Sequence, residues 1–269
     1  MLSGFDSRPV AWARILIGVA TVLLAIENHG LLMAAATDRI AIPLLPFAPP
    51  VTEAMAITIA AVGVICGLAL IGGLFSRAAA AGASLASLAA LLTEQQAYSS
   101  HQLLAAVLCG YLAFCDPGAR FSIDSWRRGY SRLQVPRLPV ILILTQISVV
   151  YFFTAMSKIN SVYLAGDIIS SSFILPLPET LSAILAGCSI AFEFFMAFGL
   201  WWRRTTSVAV VLGFGFHFVI AATLHDPFPL WAFGLMMVST YPLFIARDPR
   251  LNERWAASYL AARSFTVKL

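Results

Sequence analysis

Leu138-Pro-Val-Ile-Leu-Ile-Leu-Thr-Gln146-Ile-Ser-Val-Val-Tyr151-Phe-Phe-Thr-Ala-Met-Ser-Lys158-Ile-Asn160 is the stretch on which the fold of this chain turns. No charged side chain stands between Arg137 and Lys158. That run matches the roughly 20 apolar residues a helix needs to cross a hydrocarbon core. Lys158 closes it, and the next lysine is Lys268. A cation at bilayer depth costs about 2.5–3.5 kcal/mol on insertion scales if it faces lipid. Lys158 therefore points into a bundle or a wet cavity, or it ends the helix and snorkels to the interface. A lysine desolvated in an apolar pocket also becomes a neutral amine able to act as a base.

The same pattern recurs along the 269 residues, which are 60% hydrophobic and 11% charged, with a mean hydropathy of +0.86. Soluble domains carry roughly 25% charged residues. Eight membrane spans are expected, at about 10–34, 53–75, 78–97, 100–115, 138–159, 180–201, 205–224 and 228–246, with the fourth the shortest. The fold class is thus an all-α polytopic helical bundle. The first span is too long for a cleavable leader and lacks a small-residue cleavage site. Between the first two spans, Pro43, Pro46, Pro49 and Pro50 exclude a regular helix. The four cysteines form no C-x-x-C pair and fall in or beside apolar runs, so they read as small buried residues, with no disulfide framework and no metal site.

The net charge of +4 is explained by topology, not by nucleic acid. With eight spans and both termini in the cytoplasm, every lysine and arginine except Arg39 and Lys158 falls on the inner side. Seven spans would scatter them. Residues 1–250 form the transmembrane domain and 251–269 a basic cytoplasmic tail, most simply in a bacterial inner membrane.

This topology gathers polar groups in the outer half: Glu27, Asn28 and His29, then Glu94 and Gln95, His101, Lys158 and Asn160, His217, and His225 with Asp226. All four histidines lie in that layer, as though lining one cavity open to the non-cytoplasmic side. His101 reads as a helix-start histidine or an acid–base partner. His217, near Gly213 and Gly215, reads as an interhelical contact or a pocket residue. Glu193 sits nearer the inner half and is expected to pair with Arg203 or Arg204.

The stretch from Gln146 to Asn160, with Tyr163 and Gly166, resembles the signature helix of the HTTM family, which includes the membrane domain of vitamin K-dependent gamma-carboxylase. Three further segments agree in order: Ser99-Ser-His101-Gln-Leu-Leu, Ser122-Ile-Asp124, and Phe216-His217 followed by Pro227-Phe-Pro-Leu-Trp. In the carboxylase the matching lysine deprotonates the hydroquinone of vitamin K. Oxygen then adds, an alkoxide base takes a proton from a substrate glutamate, CO2 captures the carbanion, and the quinone leaves as its epoxide. The resemblance implies that Lys158 is a base and His101 its hydrogen-bonding partner. It implies a pocket for a reduced vitamin K or menaquinol-type hydroquinone, to which His217, Asn160, Tyr151, Glu27 and His29 are candidate contributors.

Departures limit this. The carboxylase has a large lumenal region after its helices, whereas this chain is expected to end soon after its last span. Tyr163 stands where the family often has tryptophan, and Ser157 where a second charge is common. Glutamate carboxylation therefore does not follow. Short members resembling the membrane subunit of a sporulation-delay toxin maturation system keep only the core. Two other expectations stay open. One is a non-catalytic subunit serving a partner peptide, with Lys158 in a structural ion pair with Glu27 or Glu94. The other is a quinone redox protein resembling the DoxX/DoxD group, which the Lys-Ile-Asn segment and the late histidine fit less well. The bilayer, a quinone and a peptide or partner subunit are the expected partners.

Overall fold

The computed structural model describes residues 4–37, 42–44, 49–225 and 227–248. Arg39, Asp226 and the tail expected at 251–269 lie outside the described residues. The architecture is a helical bundle. Helices α1 (Ser7–Thr37), α2 (Glu53–Gly72) and α3 (Ser76–Thr93) come first, followed by a 3-10 turn (Gln95–Ala97), α4 (Ser100–Phe114) and the short α5 (Ile123–Arg128). Then come α6 (Arg137–Ser157), α7 (Ser161–Ala165), α8 (Asp167–Ser172), α9 (Glu179–Gly199), α10 (Thr206–Thr223), α11 (Pro227–Ser239) and α12 (Tyr241–Ala246).

Among the described residues, seven helical segments are long and apolar enough to span a bilayer, counting α11 and α12 as one stretch broken at Thr240. Where the sequence predicts a fourth span at 100–115, the structure has a 15-residue helix. At about 1.5 Å per residue it reaches only about 22 Å. Its start is set by Ser99, whose hydroxyl accepts from the Gln102 N–H and caps it inside the bundle.

Side-chain size decides how the helices meet. Lipid offers no hydrophobic incentive for one helix to prefer another, so close packing of small residues takes over. A Cβ at Gly67 would come within 2.7 Å of Val22 and 3.0 Å of the Gly18 carbonyl, so α1 and α2 touch backbone to backbone there. Large apolar residues such as Ile65, Val211 and Phe218 face outward, as a lipid-facing surface requires. Inside, Ile17, Leu108, Leu144 and Phe244 belong to one continuous core.

One end of the bundle is tied by polar bonds. Strand β1 (Phe5–Asp6) pairs antiparallel with β2 (Gln134–Val135), bringing the entry to α1 beside the entry to α6. The Ser122-Ile-Asp124 segment lies at the same end. Ser122 caps α5 in a reciprocal capping box with Ser125. Asp124 accepts from the backbone N–H groups of Phe75 and Ser76 and from the Ser76 hydroxyl, so it caps α3 across the loop. Fully buried Arg14 donates to the carbonyls of Pro117 and Phe121. Phe75, Asp116 and Phe121 hold left-handed backbone here, at φ 46°, 52° and 50°. Such strain persists only where surrounding bonds over-determine it.

Candidate functional site

Helix α6 stops at Ser157, and Lys158 is its C-cap. The Lys158 N–H bonds back to Ala155, and the Asn160 side chain then accepts from the Tyr163 N–H to start α7. The chain runs on along α9, with the Tyr163 hydroxyl 2.8 Å from that of Ser189. Gly166 needs its positive φ of 89° and its missing side chain to pass the α9 backbone at Ser182 and Ala183.

This path settles how deep Lys158 lies. Its Nζ donates to Glu193 Oε1 at 2.6 Å. Glu193 is 14 residues past Glu179, the first of α9 (193 − 179), or about 21 Å of helix by rise. Lys158 therefore sits deep along α9, with α7 and α8 beyond it, and does not snorkel. Its side chain is 21% exposed and that of Glu193 5%. The cation also lies 5.3 Å from the centre of the Tyr163 ring.

The pairing corrects two expectations. Glu193 does not reach Arg203 or Arg204; Arg203 binds Asp248 instead. Lys158 pairs with neither Glu27 nor Glu94. Glu94 is fully buried and accepts from the N–H groups of Ile42 and Gln96, holding the proline-rich segment onto the bundle. The expected partners Arg203 and Arg204 lie beyond the end of α9, whereas Glu193 within α9 is level with the end of α6 and meets Lys158 there.

A cavity of about 250 Å³ opens beside the pair, with His101, Tyr151, Lys158, Glu193 and His217 in its walls. His101 Nε2 lies 3.1 Å from Glu27 Oε1 across α4 and α1. The Tyr151 hydroxyl is 2.8 Å from His217 Nε2 and 2.5 Å from the Tyr241 hydroxyl. Gly213 makes room for this chain, because a Cβ there would meet the Tyr241 hydroxyl and Met196. Gly215, by contrast, faces open space. The second carboxylate oxygen of Glu193 is buried without a hydrogen-bond partner. Such orphaned acceptors are rare in folded proteins, and each asks what satisfies it.

A second, almost wholly apolar cavity of about 460 Å³ lies between α7, α8, α9 and α10. The two cavities share Lys158, Phe216, Ile220 and Leu224 as common wall. Phe192 and Phe216 stack there with centroids 4.3 Å apart. Lys158 thus stands at the junction of an oily chamber and a polar one.

Of the predicted residues, the structure gathers Lys158, His101, Tyr151 and His217 in the polar cavity, with Glu27 behind His101. Asn160 serves as the exposed cap of α7. His29 is exposed on α1, against Ile57 and Ala60 of α2. His225 is exposed beyond α10, bonded through its backbone to Ser172. Sequence reasoning missed Glu193 and Tyr241 as parts of the site. For Glu193 there was a signal: it is an acid near the middle of α9, whose run from 180 to 201 contains no cation, so a partner from another helix was to be expected.

A family model described as the HTTM domain matches residues 3–248. No curated protein and no solved structure matches the chain.

Proposed function

The chain belongs to the HTTM domain family, and on that premise we propose that it is a membrane enzyme that binds a hydroquinone and removes a proton from it with Lys158. The observation that carries this is the Lys158–Glu193 pair, with one orphaned carboxylate oxygen, at the junction of the apolar and polar cavities. Bound there, a reduced vitamin K or menaquinol-type hydroquinone supplies a ring whose deprotonated form reacts with oxygen.

The residues present fit such a group. The stacked Phe192 and Phe216 offer a flat wall to an aromatic ring, and the apolar cavity receives its lipid tail. The Glu193 oxygen accepts from a ring hydroxyl. A shift of one proton from Nζ to the Glu193 carboxylate leaves Nζ as an amine. Nζ then takes the proton of the ring hydroxyl and becomes an ammonium beside a neutral carboxyl. The Tyr151–His217–Tyr241 chain and the Glu27–His101 contact fix the polar walls around that transfer. Modification of a peptide is the coupled step. The arginine distribution supports placing both termini in the cytoplasm and the site towards the far side of a bacterial inner membrane.

One observation favours a second reading, a non-catalytic subunit for a partner peptide: Lys158 already has a buried counter-ion, as a structural pair would. Cys188 separates the two, because it is exposed and lines the apolar cavity. Menaquinol added anaerobically is expected to slow maleimide labelling of Cys188 in the purified protein, and less so in Lys158→Ala. Labelling at the same rate with and without menaquinol would rule out the hydroquinone site.

A further inference from the structure

At the end of the bundle opposite Lys158, about 30 Å away along α6 by helix rise, lies a third sizeable cavity, of about 560 Å³. Four arginines from four separate segments converge on it: Arg8 at the start of α1, Arg120 before α5, Arg137 opening α6 and Arg247 ending α12. Among the described residues, Asp6 is the only acid in its lining. Arg8 grips that carboxylate through Nε and Nη2. Arg120 and Arg247 make no ion pair with any described carboxylate. Asp248, next to Arg247, is taken by Arg203.

The two arginines are held by neutral groups instead. The Arg247 guanidinium lies 4.6 Å from the Trp201 ring centre and donates to the Trp201 carbonyl at 2.6 Å. Arg120 lies 5.2 Å from the ring centre of Phe121. Burial pushes the Arg247 guanidinium below its ordinary range, and the neighbouring cations of Arg137 and Arg203 push it the same way, against Asp248. Among the described residues, Arg120 and Arg247 therefore bring positive charge to the cavity that no carboxylate answers. Helix α6 adds to it, since Pro136 caps that helix with no side-chain acceptor and its N-terminus carries partial positive charge.

The level of the cavity narrows the ligand. Trp12, Trp126 and Trp202 are exposed at this end, and indole rings gather where hydrocarbon meets headgroup. Phe5, Leu133 and Ala246 give the cavity an apolar side next to its arginines. Guanidinium forks match phosphate oxygens. We propose that this cavity binds the phosphate of an anionic phospholipid headgroup, docking one lipid at the arginine-rich end of the bundle.

The test uses the full chain, purified in detergent and stripped of lipid, with bound lipid counted by native mass spectrometry and the thermal midpoint followed in parallel. Phosphatidylglycerol is expected to give a one-to-one adduct and a raised midpoint, and phosphatidylcholine neither. Each arginine near an anionic headgroup contributes enough that Arg120→Gln with Arg247→Gln should weaken binding about thirtyfold. Arg120→Gln alone should weaken it about fivefold, which keeps the test available if the pair does not fold. Arg120→Lys with Arg247→Lys should retain most of it. The control pair Arg127→Gln with Arg204→Gln removes equal charge from the same end outside the cavity and should leave binding unchanged. Equal loss in that control, equal binding of phosphatidylcholine, or full binding by the folded glutamine variants would overturn the proposal. So would inorganic phosphate binding as tightly as the lipid with the same arginine dependence, which would make the ligand a soluble phosphate.

Discussion

Glu193 shows how one buried residue can decide the meaning of another. Alone, its carboxylate in an apolar helix would be untenable; beside Lys158 it becomes half of a pair whose charges cancel. Glu193→Gln strands the ammonium, and we expect about 3 kcal/mol of destabilisation. Glu193→Leu combined with Lys158→Met should recover most of that loss, and thermal unfolding in detergent measures both. A single substitution without cost would mean that Lys158 is hydrated and unpaired. At this scale the sequence was partly legible. Lys158, His101 and His217 stood out because charge and imidazole are rare in apolar runs. Their partners did not: the ends of α6 were legible to within about two residues, but a single sequence does not report which helix packs beside that end.

Elements are held by features whose purpose only the fold reveals. Gly213 reads in the sequence as a site of close helix approach, and the structure gives the reason in the Tyr241 hydroxyl. Gly213→Ala should push Tyr241 away from Tyr151 and cost about 1–3 kcal/mol by overpacking. The same cost in a Tyr241→Phe background would show that the hydroxyl is not what the methyl meets. At the other end, Asp124 caps α3. Burial alone would raise its carboxyl, but the hydrogen bonds from Ser76 and Phe75 and the nearby Arg128 outweigh that and hold it below the usual range. A depressed carboxylate stabilises the fold above its unfolded value of about 4 and loses that contribution as pH falls through the folded value. The thermal midpoint should therefore drop below about pH 4 in the wild type. Asp124→Asn should start lower and lack that part of the drop, whereas an unchanged acid profile would remove Asp124 from the account. The Ser-x-Asp segment was visible in the sequence as a family likeness; its work as a cap could not be, because its acceptors serve a helix 48 residues away.

Across the whole molecule, charge and oil are distributed with a consistent sense. The apolar spans were legible because a bilayer imposes length and composition together. The unpredicted parts, α7 and α8, are helices of five and six residues, too short to show the periodicity that marks a span. The proposed orientation predicts that a cysteine at Tyr130 is labelled from the cytoplasm and one at Ser171 from the opposite side, in a background lacking Cys66, Cys109, Cys115 and Cys188. Labelling of both from one side would contradict it.

The central claim is that Lys158, backed by Glu193, takes a proton from a hydroquinone. Oxygen uptake and epoxide formation by the purified protein, supplied with menaquinol or vitamin K hydroquinone, test it most directly. The account predicts both in the wild type and neither in a folded Lys158→Ala variant. Absence of turnover in either protein, with Lys158→Ala retaining full biological function, would contradict it.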